Sequence, residues 1–141
     1  MKNKIVKVLV LIAMLTGLIS ACAPKETTLT GGDQEAVLAY SEAKTDNMLA
    51  GVKAGDYATF SKDFDSDMLK AMPESEFLSL KQDRDTKLGT YISREVASVS
   101  QSGDFIIVVY TAKFEKVADV IMRVVFRVAE PHNISGLWFN K

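Results

Sequence analysis

The spacing of apolar residues changes once along this chain, at Thr90, from the 3.6-residue period of a helix to the two-residue alternation of a strand. Downstream of that point the composition also turns β-branched and aromatic. Helices written first and strands afterwards specify an α+β domain, with N-terminal helices packed on one face of a four-stranded antiparallel meander. With 141 residues, 48% of them hydrophobic and 25% charged, the chain is sized for one such core. Its single cysteine allows no internal disulfide, so apolar burial must hold the fold.

The helical half carries its own punctuation. From Asp33, a good N-cap, Val37, Leu38, Met48, Leu49 and Val52 fall within one arc of about 120°, while Glu42, Asp46 and Lys53 lie beyond its edge. Gly55 is placed to end this helix in the left-handed conformation, and Asp56 to cap a short helix through Tyr57, Phe60 and Phe64. A further turn over 66–72 stops before Pro73. Pro73 suits the first position of another helix, with Glu74 and Glu76 in its first turn, Arg84 and Lys87 near its end, and Leu88-Gly89 closing it.

Four strands are expected over 91–100, 104–115, 117–129 and 133–140, with turn signals at Ser102-Gly103 and Pro131-His132-Asn133. In the third, Val120, Met122, Val124, Phe126 and Val128 share the face suited to the helices, and Ile121, Arg123, Val125 and Arg127 share the other. Phe105 to Tyr110 in the second strand is apolar on both faces, so its outer face calls for a cover or a second copy of the chain. Trp138 and Phe139 are expected to anchor the last strand in the core.

The N-terminus reads as an address. Lys2, Lys4 and Lys7 precede the apolar run 8–15, and the stretch from Val8 to Ala21, with Gly17 inside, is shorter than the roughly 20 residues a membrane-spanning helix needs. Ile19-Ser20-Ala21-Cys22 resembles a lipobox, the bacterial lipoprotein signal whose cysteine is acylated and becomes the new N-terminus. Residues 1–21 are therefore expected to be a lipoprotein signal peptide, Cys22 the lipid attachment point, 22–32 a flexible tether and 33–141 a single α+β domain. The alternative is an ordinary secretory signal with an incidental cysteine. The expected location is the cell membrane or outer membrane, lipid-anchored, with the domain on the extracytoplasmic side or in the periplasm. Without the three lysines, the 17 basic residues fall to 14 against 18 acidic ones, a net charge of −4. That balance offers no surface for nucleic acid.

Candidate chemistry is sparse. Asp63, Asp65, Asp67 and Glu74 occupy positions 1, 3, 5 and 12 of a calcium-loop pattern, but Met68 stands where the turn needs glycine and Pro73 crowds the last ligand. Capping two short helices is the better reading of these acids. His132, the only histidine, sits in a turn with no partner near it in sequence and is expected to be solvated. Arg123 and Arg127 project to one side of a strand, about 13 Å apart, where they receive an anion or, more commonly, pair with carboxylates. No phosphate loop, nucleophile elbow or metal-ligand spacing is present, so no catalytic, cofactor-binding or metal-binding residue is assigned, no cofactor is implied, and no enzyme is expected.

Gly55-Asp56-Tyr57, Leu88-Gly89-Thr90-Tyr91, Thr111-Ala112-Lys113-Phe114, Val124-Val125-Phe126 and the closing Ile134-Ser135-Gly136-Leu137-Trp138-Phe139 occur in an order that resembles the domain of unknown function 3887 family, over about 33–140. The resemblance implies a cone-like α+β fold with a curved sheet, similar to the nuclear-transport-factor-2-like and cystatin-like proteins. Enzymes of that type, such as ketosteroid isomerase-like members, place an aspartate or histidine inside the cone, whereas the inward stripe from Val120 to Val128 is wholly apolar here. No activity follows from the fold alone. The expected function is that of a membrane-anchored envelope lipoprotein whose domain binds a ligand or partner, with a homodimer through the outer sheet face. The alternatives are a small enzyme using a cone-shaped pocket for proton transfer or hydrolysis, and a structural spacer domain.

Overall fold

The computed structural model describes residues 25–140, so the expected signal peptide, 1–21, and Cys22 lie outside the described residues. In chain order the elements are β1 (Glu26–Thr28), α1 (Gly31–Ala54), α2 (Tyr57–Ser61), α3 (Ser66–Ala71), α4 (Glu74–Lys87), β2 (Tyr91–Ser102), β3 (Phe105–Phe114), β4 (Val120–Arg127) and β5 (Ile134–Asn140). The architecture is the expected α+β one, with the helices on one face of an open antiparallel sheet of order β1-β2-β3-β4-β5. It has five strands rather than four. Glu26–Thr28, in the segment expected to be a tether, pairs with Ser102, Gln101 and Ser100 at the end of β2, and α1 starts at Gly31 rather than after Asp33. No helix among the described residues is long and apolar enough to cross a membrane.

The helix boundaries follow from local chemistry. Gly55 caps α1 at φ 71°, its backbone N–H donating to Gly51 and Val52 carbonyls, a conformation that costs a Cβ-bearing residue more. The Asp56 carboxylate accepts from Ala58 and Thr59 N–H groups at the start of α2, and Asp65 accepts from Asp67 and Met68 at the start of α3. Pro73 stands at the N-cap of α4, one position ahead of that expected.

The core lies between the helices and the inward face of β2, β3 and β4. Met48, Leu49 and Val52 of α1 and Phe60, Phe64, Met68 and Phe77 meet Val99, Val108, Tyr110, Phe114, Val120, Met122, Val124 and Phe126. Phe60 packs against Phe64 and Phe77 at ring separations of 4.8 and 4.6 Å, and each such burial is worth about 1.5–3 kcal/mol. Among the described residues, every member of this buried cluster falls within 37–134. Gly51 allows α1 and α2 to approach closely, because a Cβ built there would lie 2.3 Å from the Phe60 backbone nitrogen.

Two packing expectations change. Val128 lies past the end of β4 and is 37% exposed, so the inward stripe ends at Phe126. The pairing of β4 with β5 slips between Val125 and Phe126, where Ser135 is the extra residue of a bulge. Strand alternation then sends Phe139 inward against Phe114 and Trp138 outward, 50% exposed, its indole lying across Gly136. The outer face of β3 is half-buried rather than covered, with Phe105, Ile107 and Val109 partly open.

Candidate functional site

A cleft of about 610 Å³ lies where the C-terminal half of α4 faces the edge strand β5. One helical face supplies Leu80, Asp83, Arg84, Lys87 and Leu88, and β5 supplies Leu137, Trp138, Phe139 and Asn140, with Val117 and Val120 between. Spacings of three and four along α4 put those five side chains on one stripe. The stripe is held in place at the helix exit: Lys116 Nζ donates to the Asp85 and Thr86 carbonyls, Lys116 N–H to Leu88, and Gly89 turns at φ 78°. The cleft wall is mainly apolar and its volume is within the roughly 300–1,000 Å³ typical of small-molecule sites.

One cation is sunk into this wall. Arg84 is 4% exposed; its Nη2 donates to Asp85 Oδ1 at 2.6 Å, and its guanidinium carbon stands 5.9 Å from the Phe114 ring. Nε and Nη1 are buried and have no hydrogen-bond partner among the described residues. Asp85 also accepts from Lys81, and these two donors hold its carboxyl below the usual carboxylate range although burial pushes the other way. At the rim, Lys87 and Asp83 pair at 2.7 Å. Sequence reading placed Arg84 only as a cation favouring the C-terminal end of a helix, and nothing in the α4 spacing marks it as buried.

A second polar cluster joins α1 to the sheet. Arg94 of β2 pairs with Glu42 at 2.8 Å and Asp46 at 2.6 Å, and lies 5.1 Å over the Tyr110 ring. Burial opposes its charge, yet hydrogen bonds to Asp46 and Tyr91 and the Glu42 carboxylate raise its pKa above the ordinary guanidinium value. Tyr110, fully buried, donates its hydroxyl to Glu42 at 2.8 Å; burial first, then that bond, push its pKa up to about 12. Ser41 and Thr45 are buried on the same helix face, so α1 meets the sheet partly through polar groups rather than through an apolar arc alone.

Of the other residues singled out in the sequence, Asp63, Asp65, Asp67, Arg127 and His132 have definite partners. Asp63 binds Lys44 and Asn47 at 3.2 and 3.1 Å, and Asp65 binds Arg127 and Ser135 as well as capping α3. Asp67 completes the Arg127 pair at 3.0 Å. Arg127 therefore pairs with acids of the α3 start rather than with acids across the sheet, while Arg123 is exposed beside Trp138 in the β4–β5 register. His132 is half-buried rather than solvated: its ring stacks on Tyr40 at 4.1 Å and Nδ1 lies 3.2 Å from the Arg127 carbonyl. It lines a shallower second cleft of about 470 Å³ with Asp33, Tyr40 and Gln101.

A family model described as "Protein of unknown function (DUF3887)" matches residues 34–137, from the first turn of α1 to the middle of β5. The chain belongs to the DUF3887 family. The match takes in all of α4 and the first half of β5, so the helical wall of the cleft falls within the matched range and the strand wall enters it only at Leu137. No curated protein and no solved structure matches the chain.

Proposed function

We propose that this DUF3887 chain is a lipid-anchored lipoprotein of the bacterial envelope whose domain is a non-enzymatic binding module, its ligand seated in the cleft between α4 and β5. The observation that carries the binding reading is that cleft: an open site of about 610 Å³, lined by Leu80, Val120, Leu137 and Phe139, with one buried cation in its wall. The interior opposite is filled, since Val108, Met122, Val124 and Phe126 are 0% exposed, and binding is thereby directed to the cleft rather than into the sheet's concavity.

Trp138, the chain's only tryptophan, lines the cleft and reports on it. The neutral apolar dye N-phenyl-1-naphthylamine, added to the chain from Lys25, is expected to bind saturably and to quench Trp138 emission. A Leu137→Glu change is expected to abolish both signals, and a linear, unsaturable signal in the wild type would sink the reading. The anchor rests on Ile19-Ser20-Ala21-Cys22. Cys22→Ser is expected to remove labelling by radioactive palmitate and to leave the precursor uncleaved; unchanged processing to a soluble product refutes it.

The outer sheet face is proposed as the contact between two copies. Ile121 and Trp138 are 40% and 50% exposed there, beside half-buried Ile107, Val109 and Val125.

A further inference from the structure

We infer that the cleft ligand is an amphiphile with a monoanionic head, a long-chain carboxylate, and that Arg84 receives the head. The inference rests on the binding reading above and adds to it the chemistry of the ligand.

The first support is the condition of Arg84. A guanidinium carries five N–H donors, and burial without acceptors leaves each unmet donor at a cost. Here Asp85 meets Nη2, the Phe114 ring faces the cation without accepting in-plane hydrogen bonds, and Nε and Nη1 are left without partners among the described residues. Removing a charge from water is tolerated when pairing and hydrogen bonds are complete, and in this wall they are half complete. An anion entering the cleft supplies the missing acceptors. Both nitrogens are closed off from solvent, so a head group would reach them only with a shift of the side chains around them.

The second support is the count of charge. Arg84 and Lys81 share the single carboxylate of Asp85, and at the rim Lys87 and Asp83 neutralise one another. The wall therefore holds one uncompensated positive unit, which suits a monoanion better than the dianion of a phosphate monoester. The third support is what surrounds that charge. Leu80, Leu88, Val117, Leu137 and Phe139 offer nothing to a small hydrated anion, and their burial against an alkyl chain contributes about 25 cal/mol for each Å² covered. A charged end and a long apolar body in one ligand match both parts of the site.

The test is displacement of N-phenyl-1-naphthylamine from the chain beginning at Lys25, by dodecanoate, dodecanol and dodecyl phosphate below their micellar concentrations at pH 7.5. Dodecanoate is expected to displace the dye at a concentration at least about tenfold below that of dodecanol, the margin a hydrogen-bonded charge confers. Arg84→Met is expected to bind the dye and to lose that margin. Equal displacement by dodecanoate and dodecanol in the wild type overturns the anionic head while leaving the cleft reading intact, and it needs no variant to fold. Dodecyl phosphate outcompeting dodecanoate tenfold overturns the carboxylate in favour of a phosphate head. A retained margin in folded Arg84→Met removes Arg84 as the receptor. Failure of the dye itself to bind the wild type refutes the binding reading instead.

Discussion

Gly51 offers the sharpest test of how α1 and α2 pack, because two general effects predict opposite signs for its replacement by alanine. Within a helix, alanine is favoured over glycine by about 1 kcal/mol, so propensity alone makes Gly51→Ala stabilising. The structure predicts otherwise. An added Cβ would lie 2.3 Å from the Phe60 nitrogen, 2.5 Å from its Cα and 2.8 Å from its Cβ, where ordinary contact begins near 3.4 Å. The first two are backbone atoms of α2, so the whole turn must retreat by about 1 Å. That shift loosens Phe60 from Phe64 and Phe77 and strains the Asp56 N–H bond to the Gly51 carbonyl, 2.9 Å long. Overpacking of this kind costs about 1–3 kcal/mol, and a backbone clash belongs at the upper end. Subtracting the propensity gain leaves a net loss of about 2 kcal/mol, equivalent to a fall in melting temperature of about 8 °C for a domain of this size. Gly32→Ala is the control: it sits in the same helix with nothing within 4 Å of its Cβ, and a gain of a few tenths to about 1 kcal/mol is expected. Melts followed by circular dichroism decide the matter. If Gly51→Ala melts at or above the wild type, the close approach of α1 and α2 is wrong.

Acid stability depends on Asp65. Its folded pKa is lowered, since the Ser135, Met68 and Arg127 hydrogen bonds outweigh the opposing effect of burial. The stabilisation is therefore present above the unfolded value of about 3.9 and is lost as pH falls through the lower folded value. Asp65→Asn, which still caps α3, is expected to be less stable at pH 7 by urea denaturation and to approach the wild type at pH 2.5; an equal deficit at both pH values contradicts the assignment. Tyr110→Phe removes a buried hydroxyl that donates to Glu42, and a loss of about 1.5–3 kcal/mol is expected in the same assay, against no loss if the bond is incidental. In gel filtration, the chain from Lys25 is expected to shift from monomer to dimer as its concentration rises, and Ile121→Asp to remain monomeric; a wild-type chain that stays monomeric at high concentration rules out the outer-face contact.

The order of elements was legible because it is written in local chemistry. The change of period at Thr90, the left-handed Gly55, the Asp56 and Asp65 caps and the Pro73 start each act over a few residues, and each appears in the structure within a position or two. What escaped depends on partners distant in sequence. Glu26–Thr28 carries no apolar signal, and its strand exists because β2 continues far enough to pair with it. Trp138 was assigned inward with Phe139, although adjacent strand residues cannot share a face; the bulge at Ser135 decides which one turns in. The cleft was invisible for the same reason, since Arg84 and Phe139 are brought together only by the packing of α4 against the last strand. The cluster of Glu42, Arg94 and the buried Tyr110 joins residues that single-segment periodicity treats as a solvated acid, a strand cation and a core aromatic.

The short strand β1 sets the length of the leash. From Cys22 to Glu26 the backbone spans four residue steps, at most about 14 Å when fully extended, so with Cys22 lipidated as proposed the rim of the sheet rides close above the headgroups. A sheet margin presents bare amide and carbonyl groups that invite a neighbouring chain. Holding that margin against the bilayer would screen it from other copies crowded on the same surface. At the opposite margin, Ile134 exchanges backbone hydrogen bonds with Asp63 and Asp65, so the beginning of β5 is closed by the chain itself. One margin would then be guarded by lipid and the other, in part, by a loop.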